Sequence, residues 1–140
     1  MNPRRLLLLT LGASLSGQAA LLRAQTPAKT LRRVGVLAPS TRAKEEVTLR
    51  TTFFDQMHEL GWVEGQNIAY DRVYGDDYLE RLHKLAVELA GRKPEVIYTP
   101  PTLAALAAKK ATSTIPIVFG FVPDPVGIGL VTALPVQPAT

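Results

Sequence analysis

The sequence predicts an α/β fold in which helices cover a parallel sheet. Four short β-rich runs alternate with three segments of helical spacing. The links between them are short, as in β–α–β crossovers, which are right-handed. The first run, Val34-Gly35-Val36-Leu37-Ala38, is apolar throughout, the pattern of a central strand buried on both faces.

Each element has its own signal. The first strand stops at Pro39-Ser40. Residues 43–60 then follow helical spacing: Leu49, Phe53, Met57 and Leu60 fall on one stripe with Val47 and Phe54 beside it, and Gly61 is placed to end the helix. Asn67 to Tyr74 reads as the second strand. Gly75-Asp76-Asp77 turns the chain and is expected to cap a second helix, with Leu79, Leu82, Ala86 and Leu89 on one face and Gly91 at its end. Val96 to Thr99 is a third strand. The alanine-rich stretch from Thr102 to Ala111 is a third helix, slim enough to lie close to a sheet. Ile115 to Val122 is the fourth strand, with Pro116 at its entry, where no ladder donor is needed.

The chain has 140 residues, 46% hydrophobic and 20% charged, which suffices for one small domain with a real core. It has no cysteine, so disulfide scaffolds, thiol nucleophiles, cysteine zinc sites and a lipidated N-terminal cysteine are excluded. The net charge of +4 is uneven. The first 33 residues hold six of the sixteen basic residues and none of the twelve acids, so the remainder carries −2 and offers no field for nucleic acid. Arg4-Arg5, the run Leu6-Leu7-Leu8-Leu9 and a small-residue exit form the parts of a secretory signal peptide. The organisation expected is therefore a signal peptide at 1–25, a tether at 26–31, a partial lobe at 32–134 and an irregular tail at 135–140. The location expected is periplasmic, and not as a lipoprotein.

In an open parallel sheet, ligands bind beyond the carboxyl ends of the strands. Four loops reach that edge: Pro39-Ser40-Thr41, the loop after Tyr74, Thr99-Pro100-Pro101-Thr102, and Phe121 to Pro125. Free N–H groups in a first helical turn attract anions. Thr102 and the amides after it suit a carboxylate, and Asp124 suits an ammonium group, so an amino acid or similar zwitterion fits. The plainer alternative stays open: Thr102 caps its helix and Asp124 starts a turn. No catalytic, cofactor or metal site is expected. Gly127-Ile128-Gly129 lacks the third glycine of a dinucleotide loop. Asp76, Asp77, Glu80 and His83 have a spacing that metal sites use, but acids in a first helical turn ordinarily offset the dipole. His58 suits a helix C-terminus.

Several runs resemble one family: RRVGVLAPS (32–40), ELGWVEGQNIAYDRVYGDD (59–77), LAVELAGRKPEVIYT (85–99) and LAALAAKKATSTIPIVFGFVPDPVGIGLV (103–131). They are similar to the substrate-binding proteins of ABC transporters, in the poorly characterised branch with type 1 periplasmic-binding-protein architecture. The resemblance implies a Rossmann-like N-terminal lobe, a second lobe across a hinge, and closure on a small-molecule ligand. It implies delivery to an ABC permease subunit in the membrane, without chemistry. Some relatives are associated with aromatic amino acids. The family's ligand loops fall on Ser40 and Thr41, on Thr102 with Thr99 just before it, and on Phe121 and Asp124. One departure is Pro101-Thr102-Leu103, where the family usually has a small residue followed by Thr-Pro; Pro101 removes an amide there.

The family's members run to roughly twice this length, two lobes of ordinary size. After Val131 they continue with a Leu-Ala-Arg-Pro-Gly-Gly-Asn-Val-like stretch, where this chain has Leu134 to Thr140. A shifted frame with suitable synonymous codons permits Ala-Arg-Pro-Ala-Gly-Asn. The expectation is a frameshifted N-terminal fragment that binds ligand weakly or not at all. The alternative function is a small doubly wound α/β enzyme using Asp124 or the Asp76–His83 cluster. A ligand-sensing regulator would need a helix-turn-helix ahead of Arg32, where the export signal stands.

Overall fold

The computed structural model describes residues 30–132. The expected signal peptide, most of the tether and the tail lie outside the described residues. The elements run β1 (Arg32–Ala38), α1 (Arg42–Leu49), a π-helical turn (Arg50–Phe54), α2 (Asp55–Glu59), β2 (Ile68–Tyr74), α3 (Leu79–Gly91), β3 (Val96–Pro101), α4 (Thr102–Ala111) and β4 (Ile117–Phe121). The four strands form one parallel sheet in the order β2-β1-β3-β4. This is the α/β parallel-sheet architecture expected of the alternation.

Two layers of core flank the sheet, because alternate side chains of each strand point to opposite faces. On one face, Leu37, Val73 and Ile97 meet Leu82, Ala86 and Leu89 of α3 and Ala104, Ala107 and Ala108 of α4. Alanine allows α4 to sit close to the strands, as its composition predicts. Gly35 serves the same end: a Cβ there would meet the Leu89 side chain at 3.0 Å. On the other face, Val34, Val36 and Ile68 meet Leu49, with Phe53, Phe54, Met57, Tyr70 and Tyr98 packed around them.

The first helical segment departs from the single helix expected over 43–60. The π-helical turn inserts extra backbone per turn and shifts the helical phase. Phe53 and Phe54, adjacent in sequence, therefore both reach Tyr70, with ring centroids 5.9 and 4.9 Å away. Thr52 Oγ1 donates to the Thr48 carbonyl at 2.7 Å within this stretch. Leu60, expected on the stripe, and Val47, expected beside it, are exposed at 75% and 73%.

Three smaller corrections follow from the turns. The Gly75–Asp77 turn does not cap α3: Tyr78 takes the N-cap position, without a side-chain hydrogen bond. Leu79, one residue inside the helix, stays outside the core. Gly91 is the last residue of α3, as expected, and the left-handed residue after it is Lys93, φ 53°. Gly61 does follow its helix in a left-handed conformation, φ 90°, and donates to His58. Asn67 ties the following loop together, accepting from Val63 N–H at 2.7 Å and donating to the Gly61 carbonyl at 2.8 Å. β4 begins only at Ile117, but the Pro116 carbonyl accepts from Ile97 N–H at 2.9 Å.

Candidate functional site

Because every strand is parallel, the four carboxyl ends lie along one edge of the sheet. The registers align them: Ala38 is opposite Tyr74, Val36 is opposite Tyr98, and Pro101 is opposite Phe121. Neighbouring strands are about 4.8 Å apart, so the loops after β1, β3 and β4 fall within roughly 10 Å of sheet width.

The β1 and β2 loops are locked to each other. Gly75 N–H donates to the Ala38 carbonyl at 2.9 Å, Asp76 N–H to Ser40 at 3.2 Å, and Asp77 N–H to Pro39 at 2.8 Å. Asp76 and Asp77 reach these acceptors in the left-handed region, φ 53° and 65°, which aspartate tolerates better than most residues. A side chain at Gly75 would push into this contact, since a Cβ would sit 2.8 Å from the Pro39 carbonyl oxygen. The carboxylates point to other work: Asp76 pairs with Arg81 at 2.7 Å and Asp77 with Lys44 at 3.4 Å. Among the described residues, no three or more His, Asp or Glu side chains gather as a metal site.

Ser40 is half-buried, and its Oγ donates to Glu45 Oε1 at 2.7 Å. Thr41 stands at the N-cap of α1, where its carbonyl accepts from Glu45 N–H at 3.0 Å and its hydroxyl caps nothing. Glu45 also acts on Tyr98, whose hydroxyl is pushed above its ordinary pKa by burial first and by the Glu45 charge second. The Tyr98 ring stacks on Phe53, with centroids 4.0 Å apart and planes 9° apart. Glu45 thus links Ser40, just past the end of β1, by a hydrogen bond and Tyr98, within β3, by its charge. The sequence reading misses both: Glu45 reaches Ser40 from the first turn of α1, and Tyr98 comes near Glu45 only because β3 pairs with β1.

Thr102 is the first residue of α4 and Pro101 holds its N-cap position. The cap reading of Thr102 is therefore not what the structure places there. The first turn of α4 has no side-chain cap, so its N–H groups face the edge without that partner. Thr99, three residues earlier, is wholly buried on the same face as Ile97, and its Oγ1 has no protein partner. Phe121 is 72% exposed. Asp124 Oδ1 accepts from Gly127 N–H at 2.8 Å, which is the plainer turn role left open for it. Neither Ser40 nor Thr102 lines the grooves around Arg72 and beside Lys109.

Among the described residues, no helix is long and apolar enough to cross a membrane. The family model for ABC transporter substrate binding proteins matches residues 36–139. A curated tyrosine-binding protein of Clostridioides difficile (strain R20291) is 33% identical over 82 residues, covering 59% of this chain and 24% of the relative. A conserved domain protein from Vibrio cholerae aligns with TM-score 0.67 and 31% identity, over 75% of this chain and 35% of its own. A ligand-free, open substrate binding protein with adhesive properties from Clostridium difficile aligns with TM-score 0.67 and 30% identity, over 74% and 35%. A Streptococcus pneumonia ABC domain in complex with L-Trp shares the fold, with TM-score 0.67 at 20% identity over 75% and 35%. The chain thus spans about a quarter to a third of the length of these relatives. With the family match running from β1 through the last described turn, on a sheet shared with solved substrate-binding chains, this chain belongs to the ABC transporter substrate binding protein family.

Proposed function

We propose that these residues form one wall of an extracytoplasmic receptor for an amino acid or similar small zwitterion, which an ABC permease then imports. The observation that carries this reading is the row of strand-tip loops on one edge. Two of them feed α1 and α4, whose first turns have no side-chain cap. The start of α4 supplies N–H groups to a carboxylate, and the buried, unpartnered Thr99 hydroxyl lies three residues before it in the chain. Glu45, beside Ser40 and Tyr98, supplies a negative charge to the ammonium group. Asp124, held by Gly127, is a weaker candidate for that role. Exposed Phe121 offers a ring at the rim. The relatives named for tyrosine binding and solved with L-Trp support an aromatic side chain on the ligand. The wall serves binding rather than catalysis.

One wall buries only part of a ligand, so this chain alone binds weakly, on the order of millimolar. NMR titration with L-tyrosine and L-tryptophan tests the site. Shifts confined to the amides of Ser40, Thr99 and Thr102 at millimolar ligand are expected. Shifts confined to other residues would overturn the site, and micromolar affinity would overturn the one-wall reading.

A further inference from the structure

The turn after β2 acts well beyond its own strand. Its consecutive N–H groups, from Gly75, Asp76 and Asp77, occupy the consecutive carbonyls of Ala38, Pro39 and Ser40. Gly75 suits this close approach, since a Cβ there would meet both the Pro39 carbonyl oxygen at 2.8 Å and Leu82 Cδ1 at 3.3 Å. Asp76 is tied to Arg81 of α3 at 2.7 Å, so the clamp is anchored on a packed helix.

Two routes lead from this clamp to Glu45. Ser40, whose carbonyl is held by Asp76 N–H, donates its hydroxyl to Glu45 Oε1 at 2.7 Å. Lys44, the neighbour of Glu45 in the first turn of α1, donates to Asp77 Oδ2 at 3.4 Å. An exposed pair such as Lys44–Asp77 adds little by itself, so the backbone bonds carry the clamp. We propose that the Gly75–Asp77 turn is the positioning element for Glu45, and that it sets how strongly the edge prefers a ligand bearing an ammonium group. The inference rests on the receptor reading above, with Glu45 as the ammonium partner. A charge-assisted contact holds only near about 2.7–2.9 Å, so loosening the Ser40 loop weakens it. The carboxylate end of the ligand, at the start of α4, belongs to a different loop and is left in place.

The test compares L-tryptophan with indole-3-propionate, which has the same ring and carboxylate and no ammonium group. Each is titrated into the chain while the Thr102 amide shift is followed by NMR. The parent chain is expected to prefer L-tryptophan about tenfold, the effect of one charge-assisted contact. Gly75→Ala is expected to bring that ratio to about threefold or less. Its affinity for indole-3-propionate should stay within about twofold of the parent, and its Asp77 amide should exchange faster. Ser40→Ala cuts the next link without changing the clamp, and it serves if Gly75→Ala does not fold. Its ratio should fall likewise while the Asp77 amide stays protected.

A tenfold ratio kept by either folded variant would overturn the inference and leave the receptor reading standing. So would equal loss of both ligands in Gly75→Ala, or an Asp77 amide whose exchange that variant leaves unchanged. A parent chain without preference for L-tryptophan would remove Glu45 as the ammonium partner, and the inference with it. A Thr102 amide that neither ligand shifts would overturn the receptor reading and the inference together.

Discussion

Replacing Thr99 by valine should stabilise the ligand-free chain. The residue is wholly buried among the Ile97 layer, and its hydroxyl has no protein partner. A buried hydroxyl without a partner costs about 1–3 kcal/mol, and valine fills nearly the same volume with a methyl group. Part of that cost is relieved by local relaxation, so a gain of about 1 kcal/mol is expected, or roughly 4–8 °C in Tm for a domain of this size. Urea unfolding followed by circular dichroism should show a higher midpoint at unchanged slope. Thr99→Ser controls for packing: it keeps the hydroxyl, loses the methyl and should fall below the parent by about 1 kcal/mol. The order valine, threonine, serine is the signature of a hydroxyl held for a purpose other than stability. A valine variant no more stable than the parent would refute this account, because the hydroxyl would then be well satisfied in the folded chain.

Gly75→Ala should cost about 1–3 kcal/mol by urea titration, since its Cβ meets the Pro39 carbonyl oxygen at 2.8 Å. Gly91→Ala, with open space around its Cβ, should be neutral or slightly stabilising in the same assay. Leu37→Ala empties a fully buried position between α3 and the sheet and should lower stability by about 2–5 kcal/mol in thermal unfolding. Glu64 is held below its ordinary pKa chiefly by the Arg72 hydrogen bond. Its contribution is therefore present above the ordinary carboxylate value and lost as pH falls through the lower folded value. Because Glu64 is half exposed, only about 0.5–1 kcal/mol is at stake. Glu64→Gln should remove that share of the stability change between about pH 5 and pH 3, measured by urea midpoints at both.

The chain's local patterns were enough for the alternation and for a parallel sheet whose strand ends share one edge. Periodicity reports which faces are apolar, and crossover handedness restricts how parallel strands connect. The alanine content of α4 also foretold its close approach to the sheet. Other features needed the tertiary structure. The π-helical turn that brings Phe53 and Phe54 together carries no mark in the residues, because a shift in helical phase is settled by packing against Tyr70 and Tyr98. Leu60, Val47 and Leu79 read as core and lie outside it, because apolar spacing marks a helix face but not which residues of that face the sheet covers. The effect of Glu45 on Tyr98 and the lock between Pro39 and Asp77 join residues far apart in the chain. Their contacts depend on strand order and register, which hydrogen bonds between strands decide and which no local window contains.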